Sequence, residues 1–231
     1  MNGSPRVEDI GTVKVGRLWL ETFTYIQRGA GRCKLNPDGS VKEDTARCVL
    51  RGDLHSKKYA VSANQCMSPV VRNSSMMCVD AVSCLRRQHM QPYDVTGAYL
   101  NGKQKECEQV LARPPVGFRE YDERGVEVLW LMWVPLYGQG DAEAIWNRTL
   151  NEFYTGEKMG YGRCSQDPCV YSKSTADGSR VTMPLYVDDG RHYWDDSAQA
   201  KAASEADRAK FKAAFQIKTG EVDPLEDWFL A

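Results

Sequence analysis

No apolar run in these 231 residues approaches the ~20 needed to cross a bilayer, which argues against a helical membrane span. The opening, MNGSPRVEDIG, lacks a basic stretch followed by an apolar one, so no secretory signal is expected and the chain reads as intracellular. Histidine is scarce, with His55, His89 and His192 only. None of the eight cysteines (Cys33, Cys48, Cys66, Cys78, Cys84, Cys107, Cys164, Cys169) forms a C-x-x-C pair, so no zinc spacing is present and reduced thiols are expected. Internal repeats and low-complexity linkers are absent as well. Charge of neither sign dominates: 30 Lys and Arg face 31 Asp and Glu. What the chain does have is 42% hydrophobic and 10% aromatic residues, enough for a buried core and against intrinsic disorder. Its length suits one large domain or two small ones.

The near-zero net charge hides an asymmetry. Met1 to Tyr93 carries 14 basic and 8 acidic residues, Asp94 to Gly190 carries 10 and 15, and Arg191 to Ala231 carries 6 and 8. A basic first part and an acidic middle suit a protein that holds a polyanion on one side and cations on the other.

Local patterns predict a mixed architecture. Leu35 to Ser40 holds a Pro-Asp-Gly turn between two extended pieces, and Thr45 to Gly52 reads as a strand. Met76, Val79, Val82 and Leu85, mostly three apart, predict a helix capped by Ser74 or Ser75. Val126 to Leu136 (VEVLWLMWVPL) is apolar enough to predict burial on both faces. Ala142, Ile145, Trp146, Thr149, Leu150 and Phe153 form one helical stripe with Asp141 as its N-cap. Cys169–Tyr171 and Thr182–Val187 predict two strands joined across the Asp177-Gly178 turn, and Ser197 to Ala214 predicts an exposed amphipathic helix. Helices packed on an antiparallel sheet make the class α+β.

Two acidic sites stand out. Leu185-Tyr186-Val187-Asp188-Asp189-Gly190 ends an apolar strand in two adjacent carboxylates, and Asp94 precedes a second semi-apolar stretch. Asp and Gly are common turn residues, so each site alone is ordinary. A half-buried strand ending in two carboxylates still calls for compensation, and hard oxygen ligands suit magnesium.

These residues also resemble a known family. Tyr93-Asp94-Val95 with Gly97-Ala98-Tyr99-Leu100-Asn101-Gly102 resembles the first catalytic motif of copia-type retrotransposon reverse transcriptases. In the same order follow segments similar to the family's others: Arg113 to Phe118, Leu136-Tyr137-Gly138 with Trp146, Asp167 to Tyr171, and the Tyr186-Val187-Asp188-Asp189 box. Upstream, Ala46-Arg47-Cys48-Val49 resembles a basic fingers strand and Ser68-Pro69-Val70 the start of a fingers helix.

The resemblance implies a right-hand polymerase. Residues 1–93 would be fingers-like, with 1–22 a poorly matched extension, and residues 94–231 palm-like, with the thumb absent. It implies an RNA-directed DNA polymerase acting within a polyprotein, in cytoplasmic particles or the nucleus. The partners implied are a primed RNA or DNA template, deoxynucleoside triphosphates, and the integrase and ribonuclease H parts of the polyprotein. Asp94, Asp188 and Asp189 would hold two Mg²⁺ ions and form the catalytic centre. Arg47, Gly97, Ala98, Tyr99 and Tyr186 would contact the nucleotide, with Tyr99 under the sugar and Arg47 on a phosphate. Lys218 falls in the region of the family's fourth palm motif, where it reads either as a proton donor to pyrophosphate or as a surface lysine.

The sequence also departs from the family. Where the second motif usually runs Leu-Lys-Gln-Ala-Pro-Arg-Ala-Trp, this chain has Gln139 to Trp146 with Asp141 and Glu143. Thr45 stands for a usual lysine, and Gly190 to Trp194 replaces an apolar strand. These changes leave open a catalytically degenerate fragment that at most binds nucleic acid. A nucleotide-cyclase-like palm and an RNA-binding sheet carrying Tyr59, Tyr93, Tyr99 and Tyr186 also remain. A polymerase palm requires Asp94 beside Asp188 on neighbouring strands, whereas a binding sheet does not.

Overall fold

The computed structural model describes residues 19–21, 24–28, 34–35, 38, 40–43, 46–50, 68–105, 110–115 and 117–224. The expectations for residues 1–18, Thr45, Cys33, Cys66, Cys107, His55, Tyr59 and the end of the palm-like region past residue 224 lie outside them. Among the described residues five short strands come first: β1 (Trp19–Glu21), β2 (Thr24–Arg28), β3 (Lys34–Leu35), β4 (Val41–Glu43) and β5 (Ala46–Leu50). Helix α1 (Asn73–Leu85) leads into β6 (His89–Val95) and a single 3₁₀ turn, Ala98–Asn101. Then come β7 (Val110–Ala112), β8 (Trp130–Met132), α2 (Ala142–Thr155), β9 (Gly162–Arg163), β10 (Val170–Ser174), β11 (Arg180–Tyr186) and β12 (Asp189–Trp194). Helix α3 (Ala198–Ala214), β13 (Ile217–Thr219) and β14 (Asp223–Pro224) close the order. Among the described residues no helix is long and apolar enough to cross a membrane.

The chain forms two compact units, and the division falls inside α2. The first takes residues 1–67 and 102–145. Here β2 pairs with β5, β3 with β4, and β7 lies between β1 and β8. The β3–β4 pair brackets the expected Pro-Asp-Gly turn. The Leu50 N–H donates to the Tyr137 carbonyl at 2.8 Å. Gly138, at φ +87, lies so close behind that a Cβ would fall 2.1 Å from the Leu50 carbonyl oxygen. Only glycine fits that approach. Val126 to Leu136 is not buried as expected: Trp133 is 63% exposed, and Glu127 pairs with Arg113 and Arg119 at 3.0 and 3.4 Å. Among the described residues β8 pairs only with β7, so this apolar run supplies an edge strand rather than a central one.

The second unit takes residues 68–101 and 146–231 and is built on a seven-stranded sheet in the order β13-β6-β12-β11-β10-β9, with β14 also on β6. Every pairing in it is antiparallel, so the α+β expectation holds. One sheet face is apolar. Tyr93, Val95, Val181, Met183, Leu185 and Trp194 pack there against Trp146, Leu150 and Tyr154 of α2 and Ala200 and Phe211 of α3. The α2 stripe is buried as its spacing predicts, and burying each large side chain of this kind stabilises by roughly 1.5–3 kcal/mol. Helix α3 starts at Ser197, whose hydroxyl accepts from the Ala200 N–H, so Ser197 is the cap.

The opposite face meets α1, where Val79 packs on Met90 and Tyr193. The spacing of Met76, Val79, Val82 and Leu85 does not mark a buried stripe: Leu85 is 85% and Val82 53% exposed. Neither serine caps this helix. Arg72 is its N-cap residue, and the Arg72 N–H donates to Asp167 Oδ2 at 2.9 Å.

A candidate active site on the seven-stranded sheet

The register sets the geometry. In the β6–β12 pair Asp94 faces Asp189, and the Val95 N–H donates to the Asp188 carbonyl at 2.9 Å. Val95 and Asp188 therefore form a hydrogen-bonded pair, which makes Asp94–Asp189 the narrow, non-hydrogen-bonded pair beside it, with Cα atoms about 4.5 Å apart. On the other side of β6, Lys218 of β13 faces Asp94. The Thr96 N–H bond to the Gln216 carbonyl makes Lys218–Asp94 the wider kind of pair, at about 5.5 Å. Tyr186 faces Asp189 across the hairpin. One row on one face of the sheet thus reads Lys218, Asp94, Asp189, Tyr186.

The hairpin between β11 and β12 turns on two residues, Val187 and Asp188. Val187 has φ +55, a region that disfavours β-branched side chains and in which hairpin turns usually place glycine. Two features hold it. The indole N–H of Trp146 donates to the Val187 carbonyl at 2.8 Å, and the Val187 side chain packs on the apolar core. Behind the turn, Gly190 faces Tyr93, and a Cβ there would fall 2.2 Å from that ring's Cζ and hydroxyl. The Tyr93 hydroxyl meets that of Tyr154 at 3.1 Å. A helix, a glycine and a tyrosine pair therefore position the two acids of the box.

The electrostatics match this crowding. Burial raises the Asp189 carboxyl pKa, and the charges of Asp188 and Asp94 raise it further. No Lys, Arg or His forms an ion pair with any of the three acids among the described residues. The donor set is thus hard, anionic and free of direct ion pairs among the described residues, which in kind fits a divalent cation such as Mg²⁺. As they stand, no three His, Cys, Asp or Glu side chains among the described residues are gathered as a metal cage.

The other expected site residues divide between the two units. Gly97 occupies the turn after β6 at φ +64, and Ala98 is buried as the 3₁₀ turn begins. Tyr99 packs against the core formed around Tyr93 and Trp146, and Tyr186 is half exposed. Arg47 lies on β5 opposite Gln27, in the first unit. The sequence reading missed the roles of Gly190 and Val187. Its only signal for Gly190 was a glycine directly after Asp-Asp, and the clash that requires it comes from a residue 97 positions earlier.

A family model described as reverse transcriptase (RNA-dependent DNA polymerase) matches residues 32–219. The retrovirus-related Pol polyprotein from transposon TNT 1-94 of Nicotiana tabacum is 27% identical over 158 residues, 68% of this chain and 11% of that protein. Those from transposons RE1 and RE2 of Arabidopsis thaliana are each 26% identical, over 76% and 68% of this chain. The chain spans 11% and 10% of the length of those two relatives.

Proposed function

The chain belongs to the reverse transcriptase (RNA-dependent DNA polymerase) family, as a domain of a copia-type retrotransposon Pol polyprotein, and from that premise we propose that it extends a primer 3′ end on a nucleic-acid template, with Asp94, Asp188 and Asp189 as its catalytic acids. The observation that carries the proposal is the close cross-strand pairing of Asp94 with Asp189; Asp188, which the sequence placed beside Asp94 on a neighbouring strand, sits instead in the adjoining turn, opposite Val95. In this reading residues 1–93 have the fingers role and residues 94–231 the palm role. The three carboxylates would hold two Mg²⁺ ions, which would supply Lewis-acid activation of the α-phosphate and the primer 3′-hydroxyl and charge stabilisation of the leaving pyrophosphate.

The chain's own groups do the rest. The small residues Gly97 and Ala98 let the backbone approach the triphosphate closely. Tyr99 lies under the incoming sugar, and its packing on the core holds that wall firm. Tyr186 offers its exposed ring beside Asp189, and Arg47 binds a phosphate oxygen. Lys218 faces Asp94 from the neighbouring strand, within the same row as the acids, where an ammonium can hand a proton to the departing phosphate.

A second reading, a nucleic-acid binder without catalysis, has one observation in its favour. Gly140 stands where the family carries a lysine, and the neighbouring Gln139 turns inward: its amide donates to Asp141 Oδ1 at 2.8 Å, and its oxygen accepts from the Leu136 N–H at 3.4 Å. Primer extension on an RNA template with Mg²⁺, by the native chain and by Asp188→Asn, separates the two. Loss of extension in the variant supports the proposal. Equal extension by both sinks the assignment of the acids. Salt-dependent binding of primer–template with no extension by either favours the second reading.

A further inference from the structure

We propose that Arg191 contacts a backbone phosphate of the nucleic-acid strand whose end lies at the acids, and that Asp80 aims it there. The inference rests on the polymerase reading. In the antiparallel β6–β12 pair, Arg191 lies two residues beyond Asp189 and so shares its sheet face, about 7 Å further along the strand. Phosphates of one nucleic-acid strand advance ~3.4 Å along the axis per step, so two steps cover the same distance. A strand that ends at Asp189 and follows β12 brings its second phosphate opposite residue 191.

The side chain is prepared for such a contact. Arg191 Nη1 donates to both carboxylate oxygens of Asp80 at 2.9 Å each, and the Tyr193 hydroxyl also donates to Asp80. Those bonds use one nitrogen of the guanidinium. Arginine has five N–H donors in a rigid fork, so the Nε–H and both Nη2 donors are left over. These have no partner among the described residues, and the side chain is 40% exposed. A link between α1 and the sheet would not need a charge here, because apolar side chains of similar volume replace an ion pair with little loss. The sequence instead has arginine at a strand position where the family it resembles is apolar. Together with Lys218, Arg191 gives the acidic row a cation on two sides.

The test is the salt dependence of binding of a fluorescent DNA primer–RNA template duplex to the full chain in Mg²⁺, between about 50 and 200 mM salt. Arg191→Gln is expected to lower the magnitude of the log–log slope by about one and to weaken binding by about tenfold. Arg191→Lys, which keeps the charge, retains the slope. Asp80→Asn breaks the same ion pair but leaves the guanidinium, and is expected to bind at least as tightly as the native chain. Equal losses in Arg191→Gln and Asp80→Asn would show a structural tie only and overturn the proposal. An unchanged slope in Arg191→Gln overturns it as well. Absence of any binding by the native chain refutes the polymerase reading itself, and this inference with it.

Discussion

The indole N–H of Trp146 donates to the Val187 carbonyl at 2.8 Å, so helix α2 grips the hairpin tip that carries Asp188. Trp146 belongs to the helix that follows the altered second motif, and Val187 is the residue with the least favourable backbone of the box. The tryptophan thus holds the turn from a segment whose polar residues depart from the family pattern.

Replacing Trp146 by Phe keeps an apolar ring but leaves the Val187 carbonyl without its donor. We expect a loss of about 1–3 kcal/mol in urea unfolding, with faster amide exchange confined to residues 186–190. Exchange unchanged in that hairpin would show that the bond does not hold the turn.

Gly190→Ala inserts a methyl group into the Tyr93 ring, and should cost about 1–3 kcal/mol. In a Tyr93→Leu background the same substitution should cost much less, so a double-mutant cycle reads the contact directly. Additive costs would place the strain elsewhere.

The Asp189 carboxyl titrates above its ordinary range because of burial and two neighbouring acids. Its folded pKa is raised, so between the unfolded and folded values the native state binds more proton than the unfolded state. Stability from this group therefore falls as pH rises through that window. Asp188→Asn should bring the Asp189 titration, followed by carboxyl NMR, back toward normal. A titration indifferent to Asp188 would separate the two charges.

His192 behaves in the opposite sense. Burial depresses its pKa to about 3, and the cations of Arg208 and Lys173 add to the shift. The folded state holds it neutral while the unfolded chain protonates near 6.5, so stability is lost as pH falls from about 6.5 to 3. The imidazole ¹³C resonances should stay those of the neutral ring at pH 5. A protonated ring at that pH in folded protein would contradict its burial.

How much of this was legible in the sequence depended on whether a pattern was local. The α2 stripe follows the helical period, and the Asp177-Gly178 turn joins two strands close in sequence, so both could be read directly. That Asp94 and the Asp188–Asp189 turn come together on neighbouring strands could be read because their motifs keep their order. Helix α1 stands where its spacing put it, but its cap did not follow: Arg72, rather than Ser74 or Ser75, is the N-cap residue, because Asp167, far away in sequence, takes the Arg72 N–H. The α3 surface concealed Asp207, which is buried against the Lys173 ammonium at 2.6 Å and the Tyr161 hydroxyl at 2.7 Å, since an Ala/Lys/Glu-rich helix reads as solvated. The Gly190–Tyr93 contact depends on cross-strand register, which a single chain does not print.

The Asp94–Asp189 pairing also has a consequence for biogenesis. The two acids are 95 residues apart in the chain, and closing so long a loop is entropically costly and slow. A ribosome that has released everything up to β11 has made Asp94 without its counterpart, so no partly synthesised product can bring the two acids together. The pair forms in one step, when the last turn of the hairpin docks against a strand made nearly a hundred residues earlier.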